Sequence, residues 1–538
     1  MTGLNILCQD SDTQMSVQEA LGLMAPAFRQ IEPANLKFIE AIVATYIEKE
    51  EKQVRLVAVQ YAGEVFSHDN VASRYTLLLG AGDIKDDVAR ASQAALYSGL
   101  KKANNPDGQK RKKTAVELGP VLPDFLEMLM IVIDKSNIRA KSSFKVVVGE
   151  VSLPFSVSVG SQVCDYLRLC LWQSAGVLPS QDMLADPRHE APRVSRYLET
   201  LGKKKDLVVK FVELAEKLLR ASAGMSQAQA LLQLIATGPP EIRTRFEKRM
   251  DWFKFLLNNT REDLRETIAT IYSLVGATIS RPDFEKSVRD LSRSMKEKQL
   301  EFQHGAILAL GYSFGRRCLL ARMTGGLTDW SLYTETVRLI LGQLDHPNTL
   351  ILSAACLALA ELARCGPLPL PDQAKDQDQD QKEDTKLSLI QRLLGLVKSG
   401  KTNMRVRERA ALAAGSLCLG DRNFPHRRTL LESFIELAAD IKDIELHFSI
   451  GEALVFISLG VKSPAARDLW SVEEGEFSPL ETDQQEKEEE KEEDNVELAW
   501  LLSQLTGKLT RSTHPSVKQA SCLWLLAVVK HCMAQSQV

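Results

Sequence analysis

Two short stretches of this chain spell patterns that carry chemistry in other settings. Gly395-Leu-Val-Lys-Ser-Gly400-Lys401-Thr402 satisfies G-x-x-x-x-G-K-[ST] letter for letter, a loop whose backbone N–H groups and lysine cradle nucleotide phosphates. Gly311-Tyr-Ser313-Phe-Gly315 satisfies G-x-S-x-G, the elbow that lifts a serine nucleophile out on a strained turn. Both need a β-strand running into the motif and a helix leaving it, because the strand end aims the backbone donors or the hydroxyl. Neither stretch has one. Leu387 to Val397 carries its leucines at helical spacing, and Gly305-Ala-Ile-Leu-Ala-Leu310 is a small-residue helix. The nearest apolar run ending in an acid that could hold magnesium, Leu129 to Asp134, lies upstream of the loop. We expect an inter-helix turn at 395–402 and glycines at 311 and 315 that let helices approach.

The other candidates fare no better. His304, His447 and His531 fall beside helical segments, where a satisfied or exposed imidazole is the common outcome. The nine cysteines at 8, 164, 170, 318, 356, 365, 418, 522 and 532 never form C-x-x-C, so no zinc site follows and reduced thiols are expected. No spacing hands any of them a His, Asp or Glu partner. The expectation is therefore no catalytic residue, no cofactor site, no metal ligand and no enzyme. Gln109-Lys110-Arg111-Lys112-Lys113 is the one basic cluster. It suits a nuclear import signal better than nucleic acid, since no aromatic residues interleave it to stack bases.

The elements that must position these residues are helices. With 538 residues, 44% apolar, 25% charged and only 6% aromatic, the composition excludes collagenous, mucin-like and disulfide-scaffold chains. Lys+Arg at 67 against Asp+Glu at 70 gives no field that would draw nucleic acid. The longest apolar runs, such as Cys522 to Val529, fall short of the roughly 18 residues of a bilayer span. The first 30 residues lack a basic-then-apolar signal, so a soluble chain of cytoplasm and nucleus is expected. Leu387, Ile390, Leu393, Leu394 and Val397 step by three and four, making one buried stripe.

A phrase recurs along the chain. A polar turn is followed by Val or Leu, a charged residue, then Ala or Gly three or four positions on. It stands at Gln53-Val54-Arg55 with Ala58 and Ala62, at Asp87-Val88 with Ala91 and Ala95, and at Asp263-Leu264-Arg265 with Ile268. It returns at Leu300-Glu301 with Gly305 and Ala309, and at Arg405-Val406-Arg407 with Ala410 and Ala414. Glu445-Leu446 with Gly451 and Ala453, and Ser516-Val517-Lys518 with Ala520, complete the series. The step from Val54 to Val88 is 34 residues, from Leu264 to Leu300 36 and from Val406 to Leu446 40, near the length of a HEAT unit. Such a two-helix unit cannot bury its apolar faces alone, so it stacks on its neighbours through the small residues. The acid before the turn and the base after it could pair within or between units.

Three kinds of segment interrupt the helices. Lys101 to Lys113 holds six basic residues and one acid around Asn-Pro-Asp-Gly and reads as an exposed loop. Phe144 to Val159 alternates at Val151, Leu153, Phe155, Val157 and Val159, predicting an extended or hairpin insertion. Asp372 to Lys386 and Glu473 to Asp494 are acidic, the second at net −10, and such blocks self-repel and stay disordered. The expected fold is all-α, a HEAT/armadillo-like α-solenoid with a small extended insertion and disordered acidic loops. Its segments run 1–100 (repeats), 101–160 (basic loop and insertion), 161–371 (repeats), 372–386 (acidic linker), 387–472 (repeats), 473–495 (acidic loop) and 496–538 (a last, truncated repeat).

Several phrases are specific rather than generic repeat grammar. Val406-Arg-Glu-Arg-Ala-Ala-Leu-Ala-Ala-Gly415 runs on to Gly420-Asp421, Phe424-Pro-His-Arg-Arg428, Glu445 to Leu454 and Ala465-Ala-Arg-Asp-Leu-Trp470. With Met15-Ser-Val-Gln-Glu-Ala-Leu21, Ser73-Arg74-Tyr75 and Pro515 to Trp524, the chain resembles the proteasome adaptor and scaffold family of very large HEAT-repeat proteins. The resemblance runs from about Met15 to Lys530, one stretch of the longer family chain, as expected of a fragment, a short isoform or a truncated gene model. It implies no catalysis. It implies binding to subunits of the proteasome core and regulatory particles, a check on their assembly, and links to endoplasmic reticulum, endosomes and vesicle or motor-associated transport proteins. No partner-binding residue carries over. The rival readings are a HEAT-repeat nuclear transport receptor and an enzyme. The first is disfavoured because acid is concentrated in loops while the remainder is net basic.

Overall fold

The structure, a computed structural model, describes residues 13–100, 121–181, 184, 190–324, 330–372, 384–466 and 496–535, and it is 75% helical. The basic loop at 101–113 and nearly all of both acidic tracts lie outside the described residues. The chain forms two compact units, Met1–Arg243 and Thr244–Val538. This division falls inside the stretch 161–371 that the sequence reads as one run of repeats.

The first unit holds α1 (Gln14–Met24), α2 (Pro33–Tyr46), α3 (Lys52–Glu64), α4 (Val71–Ala81), α5 (Asp86–Leu96), α6 (Phe125–Arg139), α7 (Val157–Ser174), α8 (Ala191–Thr200), α9 (Lys205–Ser222) and α10 (Met225–Thr237). Helix α1 packs on α3, α3 on α5, and α7 on α10, while α2, α4, α6 and α9 cover them. Between α6 and α7, β1 (Val146–Val148) pairs antiparallel with β2 (Val151–Leu153), Val146 facing Leu153. Gly149 in the two-residue turn takes φ +56°, a left-handed conformation that favours glycine. The insertion expected over 144–159 is therefore a hairpin, but it ends early. Ser156 caps α7 by accepting a hydrogen bond from Val159 N–H at 3.3 Å, so Val157 and Val159 are helical. Their alternation imitates a strand for one step only, and the cap decides the matter.

Helix α11 (Pro240–Glu247) contains the division between the units. The second unit continues with α12 (Met250–Leu256), α13 (Glu262–Gly276), α14 (Arg281–Ser294), α15 (Leu300–Thr324), α16 (Trp330–Leu341), α17 (Thr349–Cys365), α18 (Lys386–Lys398), α19 (Met404–Ser416), α20 (Arg427–Glu436), α21 (Ile444–Leu459), α22 (496–503) and α23 (Pro515–Gln535). An inner layer runs α13, α15, α17, α19, α21, α23, each helix packed on the next, with α14, α16, α18 and α20 each against its own partner. This is the antiparallel two-helix unit of a HEAT/armadillo-like solenoid. All seven copies of the sequence phrase open helices: α3, α5, α13, α15, α19, α21 and α23. Side-chain caps fix several starts, Asn403 on Arg405 N–H and Asn348 on Leu350 N–H, both at 2.9 Å. Thr385 and Ser388 form a capping box that begins α18 at Lys386, which trims the acidic linker expected over 372–386.

The stretch Ile444–Lys462 is apolar and long enough to cross a membrane by length and composition. It is not one uninterrupted apolar run in the sequence, because Glu445 and Glu452 break it. Its span is 61% buried, packed between α19 and α23, so protein already covers much of its apolar surface.

Candidate functional site

In three copies of the phrase, an arginine ties its unit to the next. Arg55 donates to the carbonyls of Lys49 and Glu50 at 2.8 and 2.6 Å, and to both carboxylate oxygens of Asp83 in the turn before α5 at 2.6 and 3.0 Å. Arg407 donates to Val397 O at 2.9 Å and to Asp443, the residue before α21, at 3.0 Å. Arg265 donates to the carbonyls of Asn259 and Thr260, and its third partner is His304 Nδ1 at 3.1 Å. One guanidinium thus closes its own inter-helix turn and reaches the following unit, which Arg's planar fork allows and a lysine's point charge does not. The pairing expected from the sequence is between units.

Small residues make the seams between inner helices. Ala410 and Ala414 are fully buried. A Cβ added at Gly415 would lie 2.7 Å from Ala453 Cα, and one at Gly451 would lie 3.0 Å from Ala527 Cβ. Such distances leave no room for a methyl group.

The motif residues fall on helices and the turn between them. Gly395 is in α18, Ser399 ends that helix, and exposed Lys401 lies in the turn before the Asn403 cap, with no strand leading in. Ser313 is buried in the middle of α15. A Cβ at Gly311 would lie 2.5 Å from Ala358 Cβ on α17, and one at Gly315 3.2 Å from Cys365 Sγ, so these glycines admit α17. His447 is buried, its Nε2 3.1 Å from Ile441 O and its ring 5.6 Å from that of Trp524. The His531 ring meets that of Phe456 edge-on, with centroids 6.1 Å apart. Burial pushes the Cys356 and Cys418 thiols up to about 12, so neither is a nucleophilic thiolate at neutral pH.

The structure also assembles groups that the sequence does not pair. Buried Arg74 on α4 donates to Ala62 O at 3.2 Å and Ala95 O at 3.3 Å, joining α3 and α5. Arg168 on α7 donates to Gln233 and Gln229 on α10 at 3.1 and 3.2 Å and lies 5.1 Å from the centre of the Trp172 ring. A cavity of about 420 Å³ among α1, α2 and α3 is lined by Met24, Phe28, Ile31, Phe38, Ile42 and Tyr61.

Glu262, Glu266 and His304 bring three possible metal-ligand atoms within 4.8 Å of one another. The arrangement suits hydrogen bonding and not a cation. His304 Nδ1 accepts from Arg265, which places the ring proton on Nε2, facing Glu262 Oε1 at 3.5 Å. Arg405 and Arg409 already occupy both carboxylates, so a metal ion would meet a protonated nitrogen and two guanidinium groups. None of these pairings could be found from spacing, because the partners lie 39 to 147 residues apart.

Two family models match the chain: "Proteasome component ECM29, N-terminal" over residues 4–80 and "ECM29, ARM-like repeats" over 174–362. The human "Proteasome adapter and scaffold protein ECM29" is 33% identical over 559 residues, covering 99% of this chain and 29% of that protein. The Drosophila melanogaster "Proteasome-associated protein ECM29 homolog" is 24% identical over 582 residues, covering 97% of this chain and 30% of that protein. The chain therefore spans about three tenths of the length of these relatives. Among solved structures, importin beta aligns at a TM-score of 0.45 and 13% identity, covering 98% of this chain and 60% of its own. Kap121p bound to RanGTP aligns at 0.34 and 11%, covering 93% and 57%. Both family models describe ECM29 and both relatives align along nearly all of this chain, which thus resembles one stretch of the longer ECM29 proteins.

Proposed function

We propose that this chain is a non-catalytic adaptor that engages the proteasome through surface spread over several repeats. It stabilises or checks the association of core and regulatory particles, and links proteasomes in cytoplasm and nucleus to endoplasmic reticulum and endosomes. The observation that carries the reading is relatedness along 97–99% of the chain to proteins named as proteasome adapter and proteasome-associated. The geometry is in keeping with it, since Gly311 and Gly315 admit a neighbouring helix and Arg55 and Arg407 bind one unit to the next. A stacked array gains binding area by adding units, so affinity is distributed and graded.

The test is affinity purification of the tagged chain followed by mass spectrometry, repeated while units are removed one at a time. Core and regulatory subunits are expected with the full chain, and their loss should be stepwise. Removing Val517–Val538 deletes most of α23, against which Gly451 packs, and should lower solubility while leaving the first unit folded. Absence of proteasome subunits, or all-or-none loss on altering one small pocket, would defeat the reading.

A further inference from the structure

Six side chains from four inner helices meet in one place in the second unit. Glu262 and Glu266 stand on the first two turns of α13, His304 on α15, Ser353 on α17, and Arg405 and Arg409 on α19. Arg409 Nη1 donates to Glu262 Oε1 at 3.0 Å and to Ser353 Oγ at 2.7 Å, and its Nη2 donates to Glu266 Oε1 at 2.5 Å. Arg405 donates to Glu262 Oε2 at 2.6 Å and to Glu266 Oε1 at 3.4 Å. Arg409 is only 9% exposed at its side chain, whereas Arg405 is 50% exposed.

These contacts skip two helices. In a flat layer, three steps at the usual 8–10 Å between helix axes would set α13 and α19 about 27 Å apart, farther than two side chains reach. The layer must curl toward the side on which these residues stand. The two skipped helices contribute short or neutral groups there, Ser353 as an acceptor and His304 as a ring held by Arg265. Two carboxylates thus face two guanidinium groups, and buried Arg409 makes charge-assisted hydrogen bonds to both, which are stronger than those of fully exposed pairs.

We propose that this cluster is a clasp, tying the start of α13 to the start of α19, so that the repeats from α13 to α19 move as one stiff segment. A solenoid otherwise flexes by small rotations at every seam, because each unit contacts only its neighbours. The clasp adds a contact between units three apart and opposes the accumulated rotation. While it holds, the inner surface between these helices is filled by the chain's own side chains.

The test is hydrogen exchange by mass spectrometry on the whole chain, with small-angle scattering beside it. Arg405→Gln removes one half-exposed arm without threatening the core. It should speed exchange in the first turns of both α13 and α19 by roughly tenfold, the scale of coupling within one ion-pair network. Arg409→Glu should do more and should raise the radius of gyration. Combining it with Glu266→Arg, which restores opposite charges, should return exchange toward the original. Should Arg409→Glu fail to fold, the cycle of Arg405→Gln with Glu262→Gln decides, since partners in a clasp give non-additive effects. Unchanged exchange at α13 in Arg405→Gln, additive effects in that cycle, or a charge-swapped double variant no tighter than Arg409→Glu alone would overturn the proposal.

Discussion

Gly415→Ala measures how closely the inner helices approach, and its sign is informative. In an exposed helix interior this change stabilises by about 0.5–1 kcal/mol, because alanine restricts the unfolded chain and favours the helix. Here the new Cβ would lie 2.7 Å from Ala453 Cα and 3.0 Å from Ala453 O, about 1 Å inside an ordinary carbon–carbon contact. The obstacle is backbone, so no rotamer change relieves it and α21 must shift bodily. Overpacking of this kind costs roughly 1–3 kcal/mol. Against the gain from alanine, the net should be about 1–2 kcal/mol of destabilisation, a five- to thirty-fold rise in local opening. Gly395→Ala is the control, since a Cβ there meets nothing within 4 Å. Hydrogen exchange should therefore quicken in α19 and α21 for Gly415→Ala and slow slightly in α18 for Gly395→Ala. Slower exchange in both would refute the close seam and the repeat phase built on it.

Four further outcomes are expected. Lys401→Ala and Ser313→Ala should leave partner capture intact and change stability by no more than about 0.5 kcal/mol, because one residue is in an exposed turn and the other is a buried hydroxyl without a hydrogen-bond partner; tight ATP binding lost with Lys401→Ala would contradict this. Arg407→Ala should cost about 2 kcal/mol by urea titration of the local unit, since it removes charge-assisted bonds to Val397 O and Asp443. The His304 hydrogen bond, with the charges of Arg409 and Arg405, holds the Glu262 carboxyl down to about 2 against the burial that raises it. Its stabilising contribution should thus be complete above its ordinary value of 4.5 and be lost progressively as pH falls from there through about 2; carboxylate titration by NMR that places Glu262 near 4.5 would oppose this. At neutral pH a thiol reagent should label exposed Cys522 well before buried Cys356 and Cys418, read by mass spectrometry of the native protein.

Much of this architecture is written locally. The stripe at Ile390, Leu393, Leu394 and Val397 is buried in α18, and every copy of the repeated phrase opens a helix, because a 3.6-residue period and the size of an alanine or glycine are properties of a few adjacent residues. The same locality put the stretches leading into both motifs on helices, as the structure has them: a leucine-rich helix is not the strand that a phosphate loop needs. Local reading also has a limit at Val157 and Val159, whose alternation looked extended until the Ser156 cap turned them into helix.

What tertiary structure alone decided is which charges meet. No spacing announces that Arg409 pairs with Glu262 and Glu266 across more than 140 residues, that Arg168 finds Gln229 and Gln233, or that Arg265 ends on a histidine where Arg55 and Arg407 end on aspartates. Helix formation and seam packing follow from each segment and its neighbour. The meeting of α13 with α19 depends instead on small rotations summed over three seams, and each rotation is set by how side chains on both helices interlock. That sum leaves no mark in any short window of sequence, and it is fixed only once the repeats are stacked.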